Sequence, residues 1–177
     1  MGEGAVVKEE VMVGVVSDTH GWLDPQLLGL FEGATCILHA GDVGDEAVIT
    51  ALEAVAPVVV VRGNIDGGPL RHLPLTRVED ICGVRIALLH IAGEPSRPRQ
   101  AARKLLAAEA PDVLIVGHSH VPVVARVGGA LWLNPGAAGR EGHHAMRFAL
   151  RLFVHPQTCA LRLERLHLGS RAEAFGC

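Results

Sequence analysis

The sequence predicts an α/β fold in which two β-sheets pack face to face with helices outside, built as one domain over residues 1–177. Three observations carry this. Up to residue 120 short apolar runs alternate with helix-like segments, the pattern of β-α-β units and parallel strand pairing. Beyond residue 120 strand-like runs follow one another with only turns between them, which reads as an antiparallel meander. No linker, low-complexity tract or internal repeat divides the 177 residues, and at this length folding buries roughly 70% of the unfolded chain's surface, enough for a full core.

Element by element, residues 11–16 (VMVGVV) read as the first strand. PQLLGLF is a short helix with Asp24 as its cap and Pro25 at its first position, where the missing N–H costs nothing. TCILHA is a strand, DEAVITALEAV a helix and PVVVV a strand. TRVEDI and VRIALLH form a hairpin, and SRPRQAARKLLAAEA a helix capped by Ser96 with Ala101, Leu105 and Ala108 on one face. The strand DVLIV follows. VPVVARVGGALWLNPG then gives two strands about its GG turn, and MRFALRLFV and TCALRLERLHL two more about HPQ.

Composition narrows the function. Hydrophobic residues make up 49% of the chain, aromatics only 3%, and there is no tyrosine, so the core is aliphatic and offers little stacking surface for bases. A formal charge of −3 argues against a polybasic nucleic-acid face. Cys36, Cys82, Cys159 and Cys177 are scattered without a C-x-x-C pair, as expected of reduced thiols in a cytoplasmic protein. No run approaches the roughly 18 apolar residues of a membrane span, the opening MGEGAVVKEE lacks a signal-peptide core, and Val6 stands where a myristoylated Gly2 would want Ser or Thr.

The polar residues that break the apolar pattern fall at strand ends. Asp18 and His20, then Asp42, Asn64 and His90, then His118 and His120 close five predicted strands. In extended backbone, residues two apart project to the same side, so Asp18 with His20, and His118 with His120, are each expected to aim at one spot. Taken singly, Asp42 is an ordinary turn former, Asn64 an ordinary turn residue, and His90 an ordinary half-buried histidine. Together, five strand ends carrying only Asp, Asn and His, framed by glycines, point to one site in the crevice at the carboxyl ends of the strands.

Seven such groups exceed the needs of one tetrahedral zinc, and no cysteine lies among them. Two divalent metal ions are the better count, as in the two-metal clamp used for displacement at phosphorus. Imidazole, carboxylate and amide donors suit Mn²⁺, Fe²⁺, Zn²⁺ or Ni²⁺ over Ca²⁺ or Cu(I), and affinity order alone does not pick among the four; Mn²⁺ is the expected ion.

The ordered motifs DTHG, GDVG, GNID, LLHIAG and GHSH over residues 17–120 resemble those of the calcineurin-like metallophosphoesterase superfamily, and most of all its small bacterial and archaeal phosphodiesterases of the YfcE type. The later LNPGAAGRE resembles that group's NPGS turn. The resemblance implies a four-layer α-β-β-α sandwich with two mixed β-sheets. It implies that Asp18, His20 and His120 hold one metal, that Asn64, His90 and His118 hold the other, and that Asp42 bridges them. Asp42 and Asn64 are then also catalytic, and a hydroxide between the metals is the nucleophile. Two departures matter. Ile65 stands where the larger superfamily carries a leaving-group histidine, so poor leaving groups should be poor substrates, and Ile91 and Ala92 replace a Gly-His pair after His90.

Around these residues, His39 and Asp66 are expected to brace the ligand loops, and Arg62 and Arg140 to meet substrate phosphate. Arg97, Arg99 and Arg103 cluster near a helix N-terminus, against the dipole preference. Trp22 is expected at the rim of the site or in plain packing, and His143 and His144 in a solvated loop. The expected function is a metal-dependent phosphodiesterase with a small phosphoester substrate, no membrane and no strong nucleic-acid signal; self-association is left open. The alternatives are a phosphomonoesterase and a non-catalytic interaction scaffold, since a retromer subunit shares the fold.

Overall fold

The computed structural model describes residues 10–175; Cys177 and the N-terminal segment considered above lie outside them. In chain order the elements are β1 (Val11–Val16), α1 (Gln26–Leu30), β2 (Cys36–His39), α2 (Glu46–Glu53), β3 (Val58–Val60), a 3₁₀ turn (Gly68–His72), β4 (Thr76–Ile81), β5 (Val84–Leu89), β6 (Gly93–Glu94), β7 (Arg97–Pro98), α3 (Gln100–Glu109), β8 (Val113–Val116), β9 (Val123–Val127), β10 (Ala130–Asn134), β11 (Met146–Val154) and β12 (Leu161–Ser170).

Two five-stranded mixed sheets result, in the orders β12-β11-β1-β2-β3 and β4-β5-β8-β10-β9. The strands β1, β2 and β3 are parallel, as are β5, β8 and β10. Alternation along each strand separates two apolar faces. In β5, Ile86 and Leu88 join Val113 and Ile115 of β8 and Val13 and Val15 of β1 between the sheets, while Ala87 and Leu89 join Leu114, Val116 and Trp132 against α3. On the outer face of the first sheet Val16 and Ile37 pack with Leu27 and Phe31 near α1 and with Val48 and Leu52 of α2. Helix, sheet, sheet, helix: the chain is a four-layer α-β-β-α sandwich.

Three expectations need correction. The final four strands are not one meander. The β9–β10 hairpin joins the second sheet, with β10 parallel to β8, whereas the β11–β12 hairpin joins the first, with β11 antiparallel to β1. Ser96 does not cap α3; residues 93–98 form the small β6–β7 ribbon, and the helix starts at Gln100. Pro98 explains this, because the residue before proline is pushed out of the helical region. The buried face of α3 centres on Ala102, with Leu105 and Leu106 beside it, and Ala101 and Ala108 are exposed.

Asp24 does start the first helix, accepting the Gln26 N–H at 2.9 Å, and it is also ion-paired to buried Arg147. Among the described residues no helix is long and apolar enough to cross a membrane, and Cys36, Cys82 and Cys159 are free thiols.

Candidate metal centre

All seven site residues follow the carboxyl ends of the parallel strands β1, β2, β3, β5 and β8 within four positions. The loop after β1 runs along the loop after β2: Asp18 N–H donates to Gly41 O at 3.0 Å and His20 N–H to Asp42 O at 3.0 Å. The second sheet is tied in where His118 N–H donates to Asp18 Oδ2 at 3.1 Å.

These loops do not continue in extended form, contrary to the alternation argument. Asp18, His20, Asp42, His118 and His120 have φ of 55°, 49°, 54°, 71° and 60°. Non-glycine residues hold left-handed backbone at a cost of order 1–3 kcal/mol each, and such strain gathers at functional sites. The consequence for GHSH is specific. His118 and His120 do not aim at one spot but join two neighbouring groups, Asp18–His20–His120 and Asp42–His90–His118, each with donor atoms within 4.8 Å of one another.

In the first group His120 Nε2 stands 3.2 Å from Asp18 Oδ1 and 3.3 Å from His20 Nε2. Asp18 is fully buried, and its Oδ1 has no hydrogen-bond partner. A buried carboxylate oxygen left unpaired is costly, and a cation held by these three side chains would satisfy it.

The second group makes the same demand. His90 Nδ1–H donates to Ala40 O at 2.7 Å, which fixes the tautomer and leaves a lone pair on Nε2. That nitrogen faces Asp42 Oδ1 at 3.2 Å and Asn64 Oδ1 at 3.1 Å, and Asn64 Oδ1 also lies 2.9 Å from His118 Nδ1. With its proton on Nδ1, His90 Nε2 thus faces two oxygens, Asp42 Oδ1 and Asn64 Oδ1, as a lone pair. Burial lowers the His90 pKa, but the Asp42 carboxylate and the Ala40 carbonyl outweigh it, and the net direction is up. Asp42 moves down: burial raises it, and the hydrogen bond and charge of His90 and the Ile65 N–H overcome that. His118 is lowered, by burial first and then by His90. Asp42 turns its other oxygen, Oδ2, to within 3.9 Å of His20 Nε2 in the first group. The donor set therefore fits two divalent cations.

Second-layer contacts hold the loops. Gly41 N–H donates to His39 Nδ1 at 3.2 Å, His39 Nε2–H to Thr19 Oγ1 at 3.0 Å, and Thr19 in turn to Val43 O at 2.9 Å. His39 is thus a neutral, fully buried brace between the first two motifs, its pKa pushed down by burial to about 4. Asp66 accepts the Gly44 and Gly63 N–H groups at 2.9 and 2.7 Å. Gly63 is required by close approach, since a Cβ there would stand 2.0 Å from Asp42 Oδ1. Asn134, from the NPG turn, donates to Gly117 O and Ser119 Oγ and so supports the GHSH loop.

The arginines separate. Arg62 lines a cleft of about 800 Å³ beside Asn64, Ile65, Leu75, His90 and Ile91, and donates to Arg71 O at 2.8 Å. Arg140 is not in that lining; its guanidinium lies over Trp22 and Phe175 at 5.7 and 5.3 Å from the ring centroids. Arg97, Arg99 and Arg103 border a different recess by β6 and β7. The reading of His144 as solvated is overturned: it is half-buried, 3.0 Å from His120 Nδ1 through its own Nδ1 and 3.0 Å from Gly139 O through Nε2. Burial lowers its pKa.

The calcineurin-like phosphoesterase superfamily domain profile matches residues 11–154, a span that includes all seven convergent side chains. The chain belongs to this superfamily. A probable metallophosphoesterase of Methanothermobacter thermautotrophicus is 34% identical over 132 residues, covering 72% of this chain and 77% of that protein. Among solved structures, a single mutant of Vps29 from Entamoeba histolytica shares the fold at TM-score 0.68 and 23% identity, over 89% of this chain and 99% of the other. A structure described as a novel archaeal phosphodiesterase does so at TM-score 0.65 and 20% identity, over 88% and 100%. Divalent metal ions are implied by the superfamily, and the acceptor-rich cluster of this member suits them.

Proposed function

We propose that this calcineurin-like phosphoesterase is a dinuclear phosphodiesterase acting on small phosphoesters in the cytoplasm, with Mn²⁺ as the preferred ion. The observation that carries the reading is Asp42, whose Oδ1 and Oδ2 face the two candidate groups separately. Asp18, His20 and His120 would hold one ion, Asn64, His90 and His118 the other, and Asp42 both. Such ions, when bound, supply Lewis acidity to phosphoryl oxygens and acidify bound water.

The chain's own residues do the rest. The carboxylate of Asp42 stays charged because its pKa is lowered, and Asn64, exposed in the cleft lining, orients its amide toward the same point as His90 and His118. Arg62 presents its remaining N–H groups to the cleft for a substrate oxygen. Ile65 and Leu75, 46% and 58% exposed, give that cleft an apolar wall suited to an aryl or other apolar ester substituent. Ile65 cannot donate a proton, so the leaving group departs without an acid from this position, which favours diesters whose leaving group is a stable anion.

The test is hydrolysis of a bis-aryl phosphodiester and the matching aryl monoester side by side, with and without Mn²⁺. The proposal expects Mn²⁺-dependent turnover with the diester ahead. No metal-dependent hydrolysis of either, or a clear monoester preference, contradicts it.

A further inference from the structure

Gly139 O can only accept a hydrogen bond, so His144 Nε2, 3.0 Å away, carries the proton. In a neutral imidazole the other nitrogen is then an acceptor. His144 Nδ1 faces His120 Nδ1 at 3.0 Å, and only a proton on the His120 side makes that contact a hydrogen bond. His120 Nε2 is left with its lone pair, directed at Asp18 Oδ1 and His20 Nε2. From these contacts we infer that His144 is a positioning residue for the first metal group: it fixes the tautomer and ring orientation of His120 through the relay from Gly139. The inference rests on the two-metal reading for its consequence, though not for its geometry.

The loop that carries His144 is built for this. Gly139 N–H donates to Asp18 O at 3.0 Å, so the carbonyl that starts the relay is anchored to another residue of the same group. Gly142 lies flat against His120: a Cβ there would come 2.5 Å from the ring's Nδ1 and Cε1, and its φ is +118°. Arg171 closes the loop from outside, donating its guanidinium to Gly142 O and its backbone N–H to Ala145 O. The rings of His120 and His144 meet edge to face, with centroids 4.9 Å apart and planes at 75°. His90 achieves the same end with a backbone carbonyl, Ala40 O, whereas His120 does it through a second imidazole. Outer partners of this kind typically shift metal affinity by about 10- to 100-fold.

Two measurements test the inference. Long-range ¹H–¹⁵N correlation on metal-free protein reads the His120 tautomer directly. Wild type should show the proton on Nδ1, and His144→Phe, which keeps a ring and removes both bonds, should shift it toward Nε2. Mn²⁺ titration should then show one of the two sites weakened by about 10- to 100-fold in His144→Phe. His144→Asn, whose amide oxygen stands where Nδ1 stood, should stay within a few-fold of wild type. A His120 proton on Nε2 in wild type, or wild-type Mn²⁺ binding in His144→Phe, overturns the inference. Wild-type protein that binds no Mn²⁺ would instead refute the two-metal reading, and the tautomer would still decide the role of His144.

Discussion

Asp42 Oδ1 lies 3.2 Å from His90 Nε2, and His90 has already committed its other nitrogen to Ala40 O at 2.7 Å. The contact therefore wants either a metal or a proton. Because the His90 pKa is raised and that of Asp42 lowered, protons compete for the site at the imidazole and not at the carboxylate. Mn²⁺ affinity, followed by titration between pH 8 and pH 5, is expected to start falling at a higher pH than an ordinary histidine would set, and to fall with a proton uptake assignable to histidine. Affinity that holds until carboxylates titrate would contradict the arrangement.

His39 sets a separate acid limit on folding. Its pKa falls from an ordinary 6.5 to about 4, so between these values the unfolded chain binds a proton that the folded chain refuses. Stability from this residue is intact above about pH 6.5 and is lost as pH drops toward 4, in total by about 3 kcal/mol at 1.36 kcal/mol per unit. His90 in metal-free protein acts oppositely: its raised pKa favours the folded state at low pH, and the benefit disappears as pH rises through that pKa. Urea unfolding of metal-free His39→Gln against wild type separates the two, with the variant expected to show a flatter dependence from pH 6.5 to 4.

Ile65 decides the range of leaving groups. Its N–H donates to Asp42 Oδ1 at 3.0 Å, and its side chain stands in the cleft wall. Ile65→His places an acid there without removing the backbone bond. Turnover should rise for alkyl esters by up to the 10²- to 10⁴-fold that a positioned acid contributes, and change little for aryl esters. Equal wild-type rates on alkyl and aryl esters would mean that another group already supplies the proton.

The layers of the sandwich were legible because alternation reports which face of a strand is apolar: Ile86 and Leu88 inward, Ala87 and Leu89 outward. Alternation does not report which strand is the neighbour, so the division of the last two hairpins between the sheets was not. The seven convergent side chains were legible as polar breaks at the ends of apolar runs. The left-handed backbone of five of them, Asp18, His20, Asp42, His118 and His120, was not, since Asp and His tolerate it without a sequence mark; alternation alone therefore put His118 and His120 at one spot, and only the resemblance to the superfamily divided them. Pro98 marks the late start of α3, a signal that the expected Ser96 cap passed over. His144 carried no such mark, because its role depends on a loop folding back onto His120 from 24 residues away.

The central claim is that Asp42 joins two metal sites, and metal content of Asp42→Ala measures it most directly. Purified wild-type protein equilibrated with Mn²⁺ should hold two ions per chain. Asp42→Ala should lose both and essentially all hydrolysis, with its circular dichroism unchanged, since the aliphatic core between the sheets includes none of the seven site residues. An Asp42→Ala protein that keeps normal metal content would contradict the account.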